Sequence, residues 1–295
     1  MEVNAAGGAS VAVVGTGRVG TAMARILSSR GYRVAWVYDP SPDSRERAAR
    51  LSGAEVADDP VDAARDAGLV LITTPDDSIA SVCERIASSG EDRTGQVFVH
   101  MSGSLGLAAL EPVARAGAEV ACIHPLQTFA DLEGAIEALP GSSFGVTCPP
   151  GLEKWARGFV ADLDGTVMLI DEADRVLYHS AAVIASNLMA MVEYGAQVLF
   201  RTLGFTDRES GNALAPLIGA TAANVERLGA VGALTGPLVR GDLGTILSHL
   251  EALDRLDPEL CDMYRAVSLW GLRVVEERGD LEPEVVREMR DLLER

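Results

Sequence analysis

The chain has 295 residues and a mass of 31.0 kDa, enough for two modest domains. Its 48% hydrophobic and 23% charged content is that of a globular protein and excludes wholesale disorder. Asp and Glu number 43 against 25 Lys and Arg, a formal charge of -18, which excludes a surface built to neutralise nucleic-acid phosphates or to sit on an anionic membrane.

Met1 to Ser10 lack a cationic head and an apolar core, and no uninterrupted apolar run reaches membrane-spanning length. The expectation is therefore a cytoplasmic chain without a leader or a membrane span. Next comes a rhythm of short apolar runs and helical patterns. The runs are Val11–Gly15, Val34–Asp39, Leu69–Thr73, Val97–His100 and Val120–Ile123, with Thr21–Ser29 and Ser44–Ser52 among the helical segments between them. Several runs are apolar throughout, as strands covered on both faces should be, so the fold class is α/β with a doubly wound, Rossmann-like parallel sheet. Phe144–Cys148 and Thr166–Ile170 extend that sheet at its far edge.

After Asp171 the strand signal stops. Glu172 to Leu203 reads as one long amphipathic helix with Asp171 as its N-cap and Gly204 at its end. Thr206-Asp207-Arg208-Glu209 is a capping-box pattern, Asp257-Pro258-Glu259 places proline at a first helical position, and Asp242 can cap Leu243–Leu253. Glu282–Arg295 is a charged terminal helix. The expected organisation is a sheet domain over 1–171 and an all-helical domain over 172–295, whose Ala- and Met-rich face suits a homodimer.

The first strand runs into Gly15-Thr16-Gly17-Arg18-Val19-Gly20 and then a helix. This is G-x-G-x-x-G in the context that gives it meaning. The first glycine makes the turn, the second lets backbone approach a pyrophosphate, and the third lets helix and strand pack. The helix N-terminus then offers free N–H groups to phosphate oxygens. Asp39 closes the second strand, 19 residues after Gly20, where a carboxylate can hold a ribose and repel a 2′-phosphate. That favours NAD, while Arg45 and Arg47 keep NADP open. Lys154 is the single lysine, so Schiff-base chemistry or a phosphate-binding lysine has no other candidate. The cysteines (Cys83, Cys122, Cys148 and Cys261) are scattered and read as reduced, with no metal-ligand spacing.

The loop resembles that of the short-loop reductases of the 6-phosphogluconate dehydrogenase-like superfamily. So do Thr74-Pro75-Asp76-Asp77 and His100-Met101-Ser102-Gly103-Ser104 after later strands. His124-Pro125-Leu126-Gln127-Thr128-Phe129, Tyr178-His179-Ser180-Ala181-Ala182, and Leu234-Thr235-Gly236-Pro237 with Arg240-Gly241-Asp242 narrow the match. They are similar to a bacterial family that joins a Rossmann-like domain to a helical domain of unknown function. Nearly the whole chain is covered. The resemblance implies a dinucleotide-dependent oxidoreductase, related to ketopantoate and pyrroline-5-carboxylate reductases, and supports cofactor contacts at Thr74, Pro75, Ser102 and Gly103. The chain departs from that family at Asp39-Pro40, where a Ser-Arg pair suited to NADP is expected.

Hydride transfer to C=O or C=N requires a proton source. Hydroxyacid-type relatives carry a Lys and an Asn four residues apart on the long helix. Asn187 matches the asparagine, but Val183 stands where the lysine would be. The candidate catalytic residues are therefore His124, at the carboxyl edge of the sheet, and His179 and Asn187, on the face of the long helix that they share with Val183. Imidazole suits proton donation near neutrality, although each histidine could equally order its surroundings. Tyr178 is a third possible donor but reads more readily as core. His100 and His249 read as structural. Arg240 could clamp a substrate carboxylate.

The expected activity is NAD(P)-dependent reduction of a small carbonyl or imine acid, a ketopantoate-like 2-keto acid before a pyrroline-5-carboxylate-like imine. The rivals are a non-catalytic dinucleotide sensor or scaffold and a deazaflavin-dependent reductase.

Overall fold

The computed structural model describes residues 10–295. Its sheet has eight strands: β1 (Val11–Val14), β2 (Val34–Tyr38), β3 (Glu55–Val56), β4 (Leu69–Ile72), β5 (Val97–His100), β6 (Glu119–Pro125), β7 (Ser143–Thr147) and β8 (Thr166–Leu169). They lie in the order β3-β2-β1-β4-β5-β6-β7-β8. All neighbours are parallel except β6 and β7, and β7 and β8 form the far edge as expected. The path from Pro125 to Ser143 reaches β7 through the short helix Leu132–Ala138 and meets β6 head to tail. The two-residue β3 was missed because Glu55 and Val56 are both exposed and carry no burial pattern.

β1, β4 and β5 are buried at every residue. Two apolar layers explain why these strands are apolar throughout. One face packs Val11, Val13, Leu71 and Val99 against Met23, Leu27 and Phe159. The other packs Val14, Ile72 and Phe98 against Ile79, Cys83 and Ile86. Strand order reverses between β1 and β4, the switch point at which open α/β sheets hold ligands.

The chain divides into two compact units after Ser186, within the helical stretch that follows the sheet. Asp171, expected as the cap, makes no side-chain capping bond there. A 3-10 turn, Glu172–Asp174, leads into the helix Arg175–Val183, a π turn over Ile184–Leu188, and the helix Met189–Thr202. The stretch lacks an uninterrupted apolar run, yet Glu172–Thr202 is long and apolar enough to cross a membrane by length and composition alone.

The second unit is helical and has its own core, with Ile246, Leu250 and Leu253 packed against Cys261, Leu272, Val275 and Met289. The predicted caps form. Thr206 Oγ1 accepts from Glu209 N while Glu209 returns to Thr206 N. Asp242 accepts from Thr245 N, and Asp257 from Glu259 N and Leu260 N. All four cysteines are free. Lys154 is exposed on the helix Glu153–Ala161.

Candidate functional site

The glycine loop takes the shape its sequence requires. Gly15 has φ +97° and lies against β4, where a Cβ would come 2.5 Å from Thr74 N. A Cβ on Gly20 would overlap the Gly15 carbonyl oxygen, so the third glycine lets the helix Arg18–Ser29 leave the strand closely. Gly17 differs. Nothing lies within 4 Å of the place a Cβ would take, and no side chain caps the helix that begins after it. The space beside Gly17 at that helix start is open.

That space is a cavity of about 960 Å³ at the β1/β4 switch point. Of the residues expected to touch a cofactor, Gly15, Gly17, Arg18, Val19, Asp39, Thr74 and Pro75 line it, joined by Tyr38, Pro40, Arg85 and Phe129. The Thr74 hydroxyl is buried without a protein partner, which suits a cavity that awaits a polar ligand. Thr16 and Gly20 support the loop from behind. Thr16 is fully buried and its N–H donates to Asp39 Oδ2 at 2.7 Å. Asp39 Oδ1 accepts from Ser41 N at 2.9 Å. Asp39 therefore fixes the loop as well as facing the cavity. Arg18 Nη1 reaches the Phe129 carbonyl at 3.4 Å, tying the loop after β6 to the cavity rim.

Ser102 and Gly103 do not line this cavity. They belong to a second cluster two strands along the same sheet edge. The Ser102 hydroxyl donates to Asp76 at 2.7 Å and accepts from Leu105 N at 3.1 Å. Gly103 separates two imidazoles. A Cβ there would overlap His179 Cδ2 and lie 3.0 Å from Nε2 of both His124 and His179. The two rings stand edge to face, with centroids 5.9 Å apart. His124 Nδ1 is 2.9 Å from Tyr178 Oη.

Arg175 underpins the cluster. Only 1% exposed, it donates to the carbonyls of Ser102 at 2.7 Å and Gly103 at 3.0 Å and to Thr147 Oγ1 at 3.0 Å. Among the described residues it takes part in none of the ion pairs. Burial first, then the Arg175 charge and His179, push His124 down to about 4, with Asp76 opposing. Burial likewise holds His100 at about 4. His100 Nδ1 accepts from Ser102 N, leaving Nε2 to donate to Gly106 O, the structural role expected of it. His249 pairs with Tyr264 in the second unit.

The structure thus brings His124 and His179 together. Asn187 and Arg240 are exposed residues of the second unit, Asn187 within the π turn and Arg240 closing the short helix Pro237–Arg240. Sequence reasoning missed Asp76 and Arg175. Spacing could have found Arg175, because it stands three and four residues before Tyr178 and His179, on one helix face.

A family profile described as a Rossmann-like domain matches residues 4–125, and one described as a domain of unknown function, DUF2520, matches 142–270. The chain joins a Rossmann-like domain to DUF2520. No curated protein matches it. Solved structures share the fold. A proposed NADP oxidoreductase of Bacteroides fragilis is 24% identical at TM-score 0.74, over 91% of this chain and 98% of that one. An imine reductase of a Pseudomonas species is 20% identical at TM-score 0.61, over 94% and 97%. Pyrroline carboxylate reductase of Plasmodium falciparum, solved with NADP bound, is 13% identical at TM-score 0.60, over 97% and 99%. The DUF2520 match begins before β7, so it takes in the far edge of the sheet as well as helices.

Proposed function

We propose that this Rossmann-like/DUF2520 protein is a nicotinamide-dinucleotide-dependent reductase of a small carbonyl or imine acid. The observation that carries the reading is the empty approach in front of Gly17, at an uncapped helix N-terminus, opening into a dinucleotide-sized cavity at the switch point. The bound cofactor would supply the hydride. Gly15, Gly17 and Arg18 would hold its pyrophosphate, Asp39 its adenosine ribose, and Thr74 and Pro75 the part that runs towards β5.

From β1 to β6 is three strand spacings, about 14 Å. A cofactor lying along the edge would bring its reactive end towards the His124–His179 cluster. There the two imidazoles share one space beside Gly103. His179, only partly buried, can exchange protons with water and serves as the proton source. The exposed, single lysine leaves no lysine-based alternative.

Two of the fold neighbours bear names of C=N reductases, which supports the pyrroline-5-carboxylate-like imine, while the ketopantoate-like 2-keto acid stays in the proposal on the sequence resemblance alone. Arg240 is the proposed carboxylate clamp and Asn187 a proposed orienting group. Asp39 in place of a cation favours NADH over NADPH. A screen of 2-keto and cyclic imine acids with both cofactors should give turnover with at least one acid. Tight cofactor binding without turnover on any would leave a dinucleotide sensor.

The protein is also proposed to work as a homodimer. Leu177 and Ile184 of the first unit are 73% and 63% exposed and Met191 and Trp270 of the second 60% and 65%, large apolar side chains that a second copy would cover. Glu172–Thr202 reads as the joining helix of a soluble protein. Its first turn is bound to the sheet edge by Arg175, and it carries His179, Asn187 and Glu193.

A further inference from the structure

The protonation of His124 follows from what surrounds it. Its Nδ1 lies 2.9 Å from Tyr178 Oη and is the acceptor within that phenol's reach, while the other neighbour of Oη, the Gly145 backbone N–H, is a donor. A phenol has a single proton to donate, and a half-buried O–H left without an acceptor costs more than a spare lone pair. The phenol therefore donates to Nδ1, and the ring proton of a neutral imidazole must then sit on Nε2.

Two glycines make this arrangement possible. Gly145 stands opposite His124 in the β6–β7 ladder, and a Cβ there would come 2.5 Å from Tyr178 Oη. Gly103 leaves open the space that Nε2 faces, 3.0 Å from the position its Cβ would take. Nε2 has no protein partner among the described residues.

We propose that His124 is a neutral hydrogen-bond donor through Nε2–H to the substrate heteroatom, and that Tyr178 is the positioning residue that fixes this tautomer. The inference deepens the reductase reading, on which the donor role rests. It divides the labour between the two imidazoles: His124 polarises the C=O or C=N, and His179 delivers the proton. A neutral donor suits this place because of the charges that face His124. Arg175 and His179 approach it from the helix that follows β8, His100 from β5, and Asp76 from the helix after β4. The Arg175 guanidinium disfavours a second positive charge on His124, while a dipolar N–H is not opposed.

The chain has four histidines, so nitrogen-15 NMR of histidine-labelled full-length protein can resolve them without any substrate. The spectrum at pH 7 should show His124 with Nε2 protonated and Nδ1 bare, and its titration midpoint should fall near 4. Tyr178→Phe should release the tautomer preference, with the Nδ1 and Nε2 signals moving towards each other. His124→Ala assigns the resonance, and circular dichroism confirms that each variant folds. A protonated Nδ1, a His124 that charges between pH 6 and 7, or a Tyr178→Phe spectrum unchanged at His124 would each overturn the inference. Once a substrate is in hand, His124→Gln, whose amide N–H can stand where Nε2–H does, should keep at least tenfold more kcat than His124→Asn. Equal loss in both would also overturn it. The spectrum decides the tautomer whether or not cofactor binds, so a failure there is distinct from a failure of the reductase reading.

Discussion

At the residue scale the second cluster depends on what glycine omits. Gly103→Ala places a methyl against both imidazoles. It should leave cofactor affinity within about twofold while cutting turnover by on the order of a hundredfold, the scale of a lost acid–base group. Steady-state kinetics beside a binding titration separates the two effects. Gly17→Val makes the opposite prediction. Its side chain meets no protein atom near Cβ, so the melting temperature should hold while dinucleotide binding disappears.

The buried histidines give a pH dependence. His100 and His124 are held at about 4 in the fold, against about 6.5 in the unfolded chain. Between those values the unfolded state binds more protons, so stability falls as pH drops from 6.5 to 4 and is constant above 6.5. The loss is on the order of 3 kcal/mol per histidine across that window. Thermal melts at pH 7, 5 and 4 should show it, and His100→Gln should flatten the slope. The identities of these residues were legible in the sequence, but their arrangement was not. His124 and His179 could be singled out as candidates one by one. That a glycine lies between them, and that a buried arginine sits beneath, depends on contacts more than fifty residues apart in sequence.

At the scale of elements, the glycine loop was readable because its chemistry is local. Turn, strand end and helix start all lie within one short segment. Helix caps were readable for the same reason, as Thr206, Asp242 and Asp257 show. Thr206→Ala removes one half of the capping box and should cost about 1 kcal/mol, measurable by urea denaturation. The direction of β7 was not legible, because a strand's apolar pattern is the same read either way and only its partner fixes its sense. The π turn at Ile184–Leu188 was equally hidden, since one extra residue in a helical turn leaves the local composition unchanged.

For the whole molecule, a sheet region followed by a helical region was visible in where strand patterns cease. What the sequence could not show is how little of the long apolar helix is covered. Only 6% of its most apolar window is buried within the chain. Light scattering should therefore find a particle of twice the 31.0 kDa chain mass, and Leu177→Asp with Ile184→Asp should return it to a monomer or precipitate it. A monomer for the unaltered chain at micromolar concentration would refute the homodimer.

The central claim is that the cavity at the switch point takes a nicotinamide dinucleotide. Calorimetric titration of nucleotide-stripped protein with NADH, NADPH and a deazaflavin tests it most directly. The account predicts micromolar binding of NADH, weaker binding of NADPH, and loss of both in Gly17→Val. NADPH preference would overturn the role given to Asp39 and keep the reductase. Binding of deazaflavin alone, or of none of the three, would contradict the claim itself.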